Sequence, residues 1–281
     1  MNTAFVNGEF LPLAQARVSV LDRGFLFADS VYEVVPFYAG RGFRLDEHLD
    51  RLARSLGLSR IRDPYDRPRW HEIIAGLIDA NGGGDLSLYI QVTRGAPARR
   101  DHRIPDDIEP TVVAFCQSRA PVDPAVLAHG IAAVTHDDTR WRYCTIKSTS
   151  LLANVLAADQ ARAQGASEAL VVRDGCIQEG TSSNVFAVID DRLVTPALRD
   201  TILPGITRAA VLELAAREQV EHAEVETLLR EDLQRASEIW ITSSVREIFP
   251  VTELDGACVG NGKPGPLWTR MHAALQAMPH D

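Results

Sequence analysis

Lysine is almost absent from this chain. Only Lys147 and Lys263 occur among 281 residues, and arginine supplies the rest of the 29 basic side chains. The basic residues form no dense run, and the formal net charge is -9. Because nucleic-acid affinity depends on basic clusters that displace counterions, the sequence argues against a nucleic-acid partner.

Closely spaced metal ligands and disulfide patterns are also missing. The four cysteines, Cys116, Cys144, Cys176 and Cys258, form no Cys-x-x-Cys pair, which argues against a zinc cage or a disulfide framework. The eight histidines show no His-Glu-x-x-His or comparable ligand spacing, so we expect no metal site. We expect reduced, mostly buried thiols.

Long apolar runs are a third absence. No window approaches the roughly 18 consecutive apolar residues that a membrane-spanning helix needs. The segment 1–22 carries Glu9 and Asp22 between short apolar runs and has no basic stretch ahead of an apolar one, so we do not expect it to be a signal peptide. We expect a soluble, cytoplasmic protein without a membrane partner.

The order of the elements predicts an α+β fold, or irregular α/β fold, in two domains. A hydrophobic content of 46% is sufficient for one large core or two ordinary ones, and strands and helices mix without a regular βαβ period. The patterns predict strands at 31–35, 86–92, 111–116, 131–135 and 238–242, helices at 47–58, 70–78, 150–164 and 207–219, and hairpins at Asp174-Gly175 and Asp190-Asp191.

A proline-containing segment, with Pro121 and Pro124, separates the two predicted halves. We therefore predict a small N-terminal α/β domain over 1–118, a linker over 119–128 and a larger C-terminal domain over 129–281. On the predicted helix 150–164, the apolar side carries Leu151, Leu152, Val155, Leu156 and Ala158.

The two lysines differ in context. Lys147 lies in an apolar, hydroxyl-rich stretch that leads into a helix, whereas Lys263 lies in a loop of glycines and prolines and is expected to be solvated. That loop matches a dinucleotide-binding string at Gly260-x-Gly262-x-x-Gly265, but its prolines interrupt the helix that such a site requires. A partly buried amine at Lys147 is costly unless it is paired or covalently used. On this observation alone, a structural role for Lys147 is more frequent among such lysines than a functional one.

Three polar turns suit an anionic or cationic ligand, although each taken alone also fits a plain structural role. The run 203–208 leads straight into a helix, whose first N–H groups suit a phosphate, or Thr207 simply caps its own turn. Ser243 and Ser244 follow a strand and either donate to phosphate or form a turn. Glu179 lies among many donors in 178–184 and is suited to a protonated pyridine nitrogen, or belongs to a polar turn.

Taken together and in order, six motifs resemble those of the class IV aminotransferases over essentially the whole chain. Within that family the D-amino acid aminotransferases are the most similar, through the Val-Tyr-Glu-Val-Val strand and the element Arg100-Asp101-His102. The motifs are Asp-Arg-Gly-Phe (22–25) with Val-Tyr-Glu-Val-Val (31–35), Glu-His-Leu-Asp-Arg-Leu (47–52), Val-Thr-Arg-Gly (92–95), Ile-Lys-Ser (146–148), Glu-Gly-Thr-Ser-Ser-Asn (179–184) and Leu-Pro-Gly-Ile-Thr-Arg (203–208).

The resemblance implies fold type IV, a homodimer, and pyridoxal 5'-phosphate (PLP) in a cleft between a small and a large domain. It implies that Lys147 carries PLP as a Schiff base and moves the substrate proton, and that Glu179 pairs with the pyridine nitrogen. The implied phosphate ligands are Arg51, Ile206, Thr207, Ser243 and Ser244, and the implied substrate ligands are Tyr32, Arg100 and His102.

The expected reaction is transfer of the amino group between a D-amino acid, such as D-alanine or D-glutamate, and a 2-oxo acid. A branched-chain L-amino acid aminotransferase, an (R)-amine transaminase and an aminodeoxychorismate lyase remain open as alternatives. A non-catalytic binder of the same fold is disfavoured because Lys147 and Glu179 are both present.

Overall fold

The computed structural model describes residues 2–278 and divides them into two compact units. The first unit holds 2–120 and 146–150, and the second holds 121–145 and 151–278. The segment 146–150, predicted within the C-terminal domain, belongs to the first unit because Ile146 packs against its core and Tyr32 N–H donates to the Lys147 carbonyl. The outer ends of the predicted domains, residue 1 and residues 279–281, lie outside the described residues.

The first unit is built on an antiparallel sheet, which has six strands within the described part of the chain. Their order is β2-β1-β6-β5-β3-β4. The strands are β1 (Thr3–Val6), β2 (Glu9–Pro12), β3 (Ser30–Tyr38), β4 (Arg41–Gly42), β5 (Leu86–Thr93) and β6 (Thr111–Ser118), and the helices are α1 (Arg23–Phe27), α2 (Leu45–Ser59) and α3 (Arg67–Ala80).

Alternation along the strands and helical spacing in α2 and α3 build the first core. In β5 every second side chain is buried, from Leu86 to Val92, so one face of the strand lies in the core. Leu49, Leu52 and Leu56 recur at the spacing of one helix face, and all three are buried in the same cluster. The predicted strands and helices of this half are confirmed.

The second unit contains a larger mixed sheet, with nine strands among the described residues. Its order is β12-β11-β10-β13-β14-β7-β8-β9, and β15 pairs with β14. The strands are β7 (Ile131–Asp137), β8 (Glu168–Arg173), β9 (Cys176–Gly180), β10 (Asn184–Ile189), β11 (Arg192–Pro196), β12 (His222–Val225), β13 (Glu238–Ser243), β14 (Glu247–Leu254) and β15 (Ala257–Cys258), and the helices are α4 (Pro124–His129), α5 (Leu152–Ala163), α6 (Ile206–Arg217), α7 (Arg230–Leu233) and α8 (Pro266–Gln276).

Local turn chemistry closes the two predicted hairpins. Asp174 and Gly175, between β8 and β9, have φ values of 53° and 77°, and Asp190 and Asp191, between β10 and β11, have φ values of 50° and 62°. Two successive residues in the left-handed region match the twist of paired strands, and Asp and Gly tolerate it. Both hairpins are as predicted, and the α+β class is confirmed.

The large apolar side chains of α5 are exposed, in contrast to the usual burial of an apolar helix face. Leu152, Val155 and Leu156 are 72%, 60% and 54% exposed. The face that packs in the second unit consists of small residues, with Ala157 and Ala161 buried in a cluster of alanines. Alanine permits a close approach of the helix to the sheet, so the larger residues point away from it.

Two further expectations concerned the burial of the cysteines and the absence of a membrane-spanning helix. Cys116 and Cys144 are buried, Cys176 is partly buried and Cys258 is exposed, so half of the thiols, rather than most, are in the interior. All four are free. Within residues 2–278 no helix has the length and apolar character needed to cross a membrane.

Candidate functional site

Lys147 is held at a defined position in the first unit. Its carbonyl accepts from Tyr32 N–H at 2.9 Å, and its own N–H donates to Ser55 Oγ on α2 at 3.2 Å. The Nζ atom lies 4.4 Å from the centroid of the Tyr32 ring, and the residue is partly buried. Lys263, by contrast, is exposed in a loop. The structure therefore brings Lys147 and Tyr32 together and fixes the amine over an aromatic face.

Arg51 belongs to a buried ionic cluster in the same unit. Its Nε and Nη2 atoms donate to Glu33 at 2.8 and 2.7 Å, and His48 Nδ1 lies 2.7 Å from the same carboxylate. Burial alone would raise the pKa of Glu33, but the charge and hydrogen bonds of Arg51 and the hydrogen bond of His48 lower it to about 2. Burial lowers the pKa of His48, so this imidazole is neutral at pH 7 and donates through Nδ1 to the carboxylate. Glu33 thus orients the guanidinium of Arg51.

Arg100 and His102 lie in the loop between β5 and β6, and both are exposed. The Arg100 guanidinium carbon is 4.8 Å from the centroid of the Phe27 ring, and the His102 ring centroid is 5.0 Å from the same ring. Within residues 2–278 Arg100 has no hydrogen-bonded or ion-paired partner. A guanidinium stacked on a ring keeps its N–H donors free at its edge, where they match a carboxylate.

Glu179 lies near the end of β9 in the second unit and is almost completely buried. It accepts from Arg140, from Leu203 N–H at 2.9 Å and from Asn184 Nδ2 at 3.3 Å. Arg140 also donates to both carboxylate oxygens of Asp138, at 2.9 and 3.0 Å. Burial would lower the pKa of Arg140, but Asp138 and Glu179 raise it well above its ordinary value. The carboxylate of Glu179 is thus surrounded by a positive charge and by N–H donors, an environment that favours the charged form of a carboxyl group.

The start of α6 lies beside Glu179. Ile206 and Thr207, at the first helical positions, are buried, and Gly205 caps the helix without a side-chain hydrogen bond. A Cβ atom on Gly205 would lie 2.0 Å from Asn184 Oδ1, so a larger residue there would displace the Asn184 side chain. The helix therefore begins with N–H groups that no side chain of the N-cap residue satisfies, which suits an anion.

Ser243 and Ser244 follow directly on the pairing of β13 with β10, where Thr242 lies opposite Asn184. The Ser243 Oγ atom accepts from Arg246 N–H at 3.1 Å. In the described part of the chain, the buried Thr242 Oγ1 atom has no hydrogen-bond partner. A buried hydroxyl without a partner is energetically costly. The Thr242 hydroxyl at this end of β13 is therefore available to donate a hydrogen bond to a ligand.

Within each unit the structure brings some of the predicted residues together and pairs others with residues that were not predicted. In the first unit Lys147 lies with Tyr32, Arg100 lies with His102, and Arg51 lies with Glu33. In the second unit Asn184 connects three elements, because it donates to Glu179, lies against Gly205 and pairs in register with Thr242.

Sequence reasoning assigned no role to Arg140 or Glu33, which hold Glu179 and Arg51. For Glu33 a signal existed, since it is the one charged residue within the apolar run 31–35, and such a residue in a buried strand requires a partner. Arg140 had no such signal, because its partner Glu179 is 39 positions away and the chain is rich in arginine.

Comparisons with known proteins identify the family. The family model of class IV aminotransferases matches residues 30–254. The chain is 38% identical over 272 residues to the D-alanine aminotransferase of Bacillus licheniformis, a match that covers 96% of this chain and 94% of that protein.

Solved structures share the fold. The branched-chain amino acid aminotransferase of Escherichia coli superposes with a TM-score of 0.92 at 26% identity, over 99% of this chain and 94% of that one. Another branched-chain amino acid aminotransferase, solved with pyridoxamine 5'-phosphate, gives a TM-score of 0.90 at 26% identity, over 98% and 92% of the two chains. The predictions of fold type IV and of PLP as cofactor are confirmed. The chain therefore belongs to the class IV aminotransferases, and it is a PLP-dependent aminotransferase.

Proposed function

We propose that this aminotransferase exchanges the amino group between a D-amino acid, of the D-alanine or D-glutamate type, and a 2-oxo acid. The observation that carries the proposal is the 38% identity to a D-alanine aminotransferase over nearly the whole chain. The solved branched-chain enzymes share the fold at 26% identity. A branched-chain activity is therefore the second candidate, and it is decided by the test below.

The donor set of the chain fits PLP. Lys147 supplies the primary amine that a Schiff base requires, and Glu179 supplies a buried carboxylate for the pyridine nitrogen. The proposed phosphate ligands are the N–H groups at the start of α6, and the side chains of Arg51, Thr207, Ser243 and Ser244. The unpartnered hydroxyl of Thr242 is the observation that supports an anion in the second unit, and the start of α6 offers N–H donors to it.

When bound, PLP supplies an electron sink that weakens the Cα–H bond of the substrate. Lys147 Nζ would take up the proton that leaves Cα and return it later, which requires that the amine be neutral when it acts. The Tyr32 ring fixes the position of that nitrogen atom. Arg140 and Leu203 N–H hold and orient the Glu179 carboxylate.

Arg100, His102 and the Tyr32 hydroxyl are the proposed substrate ligands. Arg100 offers a charged fork of donors that matches a carboxylate, and His102 lies against the same Phe27 ring. If the carboxylate is bound on this side while Cα faces Lys147, a D-amino acid presents its hydrogen to the amine and an L-amino acid does not. Arg100 and His102 would thus determine both the affinity for the substrate and the preference for its D-enantiomer.

The direct test is a set of half-reaction spectra. The purified holoenzyme is mixed separately with D-alanine, L-alanine, D-glutamate, L-leucine and an (R)-amine, and the cofactor absorption is followed. The proposal expects rapid spectral conversion by the D-amino acids and little by the others. Conversion by L-leucine without conversion by D-alanine would replace the proposal with the branched-chain function, and conversion only by the amine would replace it with an amine transaminase.

Assembly and location are further parts of the proposal. We propose a homodimer, because each unit leaves large apolar side chains exposed, among them Val20 and Phe25 in the first and Leu152 in the second, each more than 70% exposed. Light scattering after gel filtration measures the oligomeric state, and a monomer at micromolar concentration would contradict the proposed dimer.

The cytoplasm is the proposed location, since the four free thiols fit a reducing compartment.

A further inference from the structure

Arg23 is a buried arginine whose side chain donates to the backbone of the loop that carries Arg100 and His102. Its Nη1 atom donates to the carbonyls of Asp101 and Arg103 at 2.5 and 3.2 Å, and Nη2 donates to the His102 carbonyl at 3.3 Å. The residue is only 4% exposed. One side chain therefore contacts three consecutive carbonyls, and within residues 2–278 those carbonyls accept no other hydrogen bond.

The guanidinium of Arg23 is held by the carboxylate of Asp29, which a second buried arginine, Arg94, also contacts. Arg23 Nε donates to Asp29 at 2.7 Å, and Arg94 donates to both oxygens of the same carboxylate at 2.8 and 2.9 Å. Burial alone would raise the pKa of Asp29, but the hydrogen bonds and charges of Arg94 and Arg23 lower it. Arg94 also donates to the carbonyls of Ser59 and Arg60 at the end of α2, at 2.8 and 2.7 Å. The chain of contacts thus runs from a well-packed helix to the loop.

Phe27 holds the side chains of the same loop. It lies four positions after Arg23 on α1, a spacing that places both on one helix face, and the Arg23 guanidinium carbon is 5.0 Å from its ring centroid. Arg100 and His102 contact the same ring. One turn of helix therefore fixes the loop twice, at its backbone through Arg23 and at its side chains through Phe27.

We infer that Arg23 is a positioning residue for substrate-carboxylate binding, acting through the backbone of residues 101–103 on Arg100 and His102. The inference rests on the proposed function, because it takes Arg100 and His102 as the carboxylate ligands. A loop without regular structure loses conformational entropy when it becomes ordered on binding a ligand, and this loss weakens the binding. The loss is smaller when other contacts in the protein already hold the loop in its binding conformation. Arg23 provides this order in advance, and only an arginine has donors enough for the carboxylate and three carbonyls.

The test compares Arg23→Lys with Arg17→Lys in the holoenzyme. Arg17 is a matched control, because it also donates to two backbone carbonyls, of Ala14 and Ala16 at 2.8 Å, but at an exposed site elsewhere. For Arg23→Lys we expect KM for D-alanine to rise about tenfold, while kcat changes less than about twofold and PLP remains bound. Amide hydrogen exchange in residues 99–104 should become faster in this variant alone. Arg17→Lys should match wild type in both measurements.

A double-mutant cycle separates positioning from a merely structural role. Because Arg23 acts on Arg100 and also on His102, the effects of Arg23→Lys and Arg100→Ala on KM should combine to clearly less than their product. Full multiplication of the two effects, or an unchanged KM in Arg23→Lys despite faster loop exchange, overturns the inference.

A second variant covers the case in which Arg23→Lys does not fold. Phe27→Leu removes the ring but leaves the buried ions intact, and it should also raise KM for D-alanine several-fold; an unchanged KM overturns the account of the loop. The proposed function fails in a different way. If Arg100→Ala itself leaves KM unchanged, the carboxylate assignment is wrong, whereas a raised KM in Arg100→Ala with wild-type values in Arg23→Lys and Phe27→Leu contradicts the positioning inference alone.

Discussion

The Lys147 Nζ atom lies 4.4 Å from the centroid of the Tyr32 ring, and the Tyr32 N–H donates to the Lys147 carbonyl at 2.9 Å. The two residues are 115 positions apart in the chain, so the fold, and not local sequence, joins them. Tyr32 has two separable parts: its ring faces the amine, and its hydroxyl has no hydrogen-bond partner within residues 2–278.

Tyr32→Phe should raise KM for D-alanine between about twofold and tenfold, because it removes one neutral hydrogen bond to the substrate. PLP retention should be unchanged, since the ring beside Lys147 is kept. Tyr32→Leu removes the ring as well and should also weaken PLP loading of the apoprotein. Steady-state kinetics and a PLP titration measure the two effects. Identical behaviour of the two variants in the PLP titration would contradict the role given to the ring.

Glu179→Gln should lower kcat about tenfold or more while PLP stays bound. The substitution removes the negative charge proposed to keep the pyridine nitrogen protonated, and one unit of pKa corresponds to about 1.4 kcal/mol. Glu253→Gln, an exposed carboxylate on β14, is the control and should match wild type. A wild-type kcat in Glu179→Gln would remove this residue from the mechanism.

The stability contributed by Glu33 should depend on pH in a defined direction. Its pKa is lowered from 4.5 to about 2 in the folded chain, so its contribution is complete above the ordinary pKa and is lost as pH falls toward 2. At pH 7 the charged form contributes about 3 kcal/mol by linkage. Denaturant unfolding of wild type and Glu33→Gln should therefore show a large gap at pH 7 that narrows between pH 5 and pH 3. A gap independent of pH would contradict the ionised, paired state of Glu33.

Gly205→Ala should weaken PLP binding, because the new Cβ would lie 2.0 Å from Asn184 Oδ1 and displace the side chain that connects Glu179 to the start of α6. Gly57→Ala is the matched control, since a Cβ there meets nothing within 4 Å and the residue lies inside α2. That change should stabilise the protein by about 0.5–1 kcal/mol. PLP titration and thermal unfolding of both variants measure this; equal PLP affinity would show that the α6 start tolerates the displacement.

Elements whose causes are local could be predicted from the sequence. The hairpin at Asp174-Gly175 is fixed by the backbone preferences of its own two residues, and α2 by the spacing of Leu49, Leu52 and Leu56. The six motifs identified the family because their residues are read in order along the chain. Such signals do not require knowledge of distant contacts.

Features that depend on contacts between distant residues could not be predicted. The helical spacing of Leu152 and Val155 predicts that this side of α5 is buried. Spacing alone does not show that α5 packs in the second unit through its alanine face and leaves these larger side chains exposed. Arg140 could not be distinguished from the many other arginines, because its partner Glu179 lies 39 positions away in the sequence. Arg23 belongs to the Asp-Arg-Gly-Phe motif, but its contacts are made with a loop about 80 positions further on.

Borohydride trapping of the cofactor tests the central claim, that Lys147 is the residue that carries PLP, most directly. The holoenzyme is reduced and digested, and the modified peptide is identified by mass spectrometry. Because the chain has only two lysines, the result is decisive. The account predicts that the cofactor mass lies on the peptide with Lys147, is lost in Lys147→Ala and is kept in Lys263→Ala. Modification of Lys263 in the wild-type enzyme, or a trapped cofactor in Lys147→Ala, would contradict it.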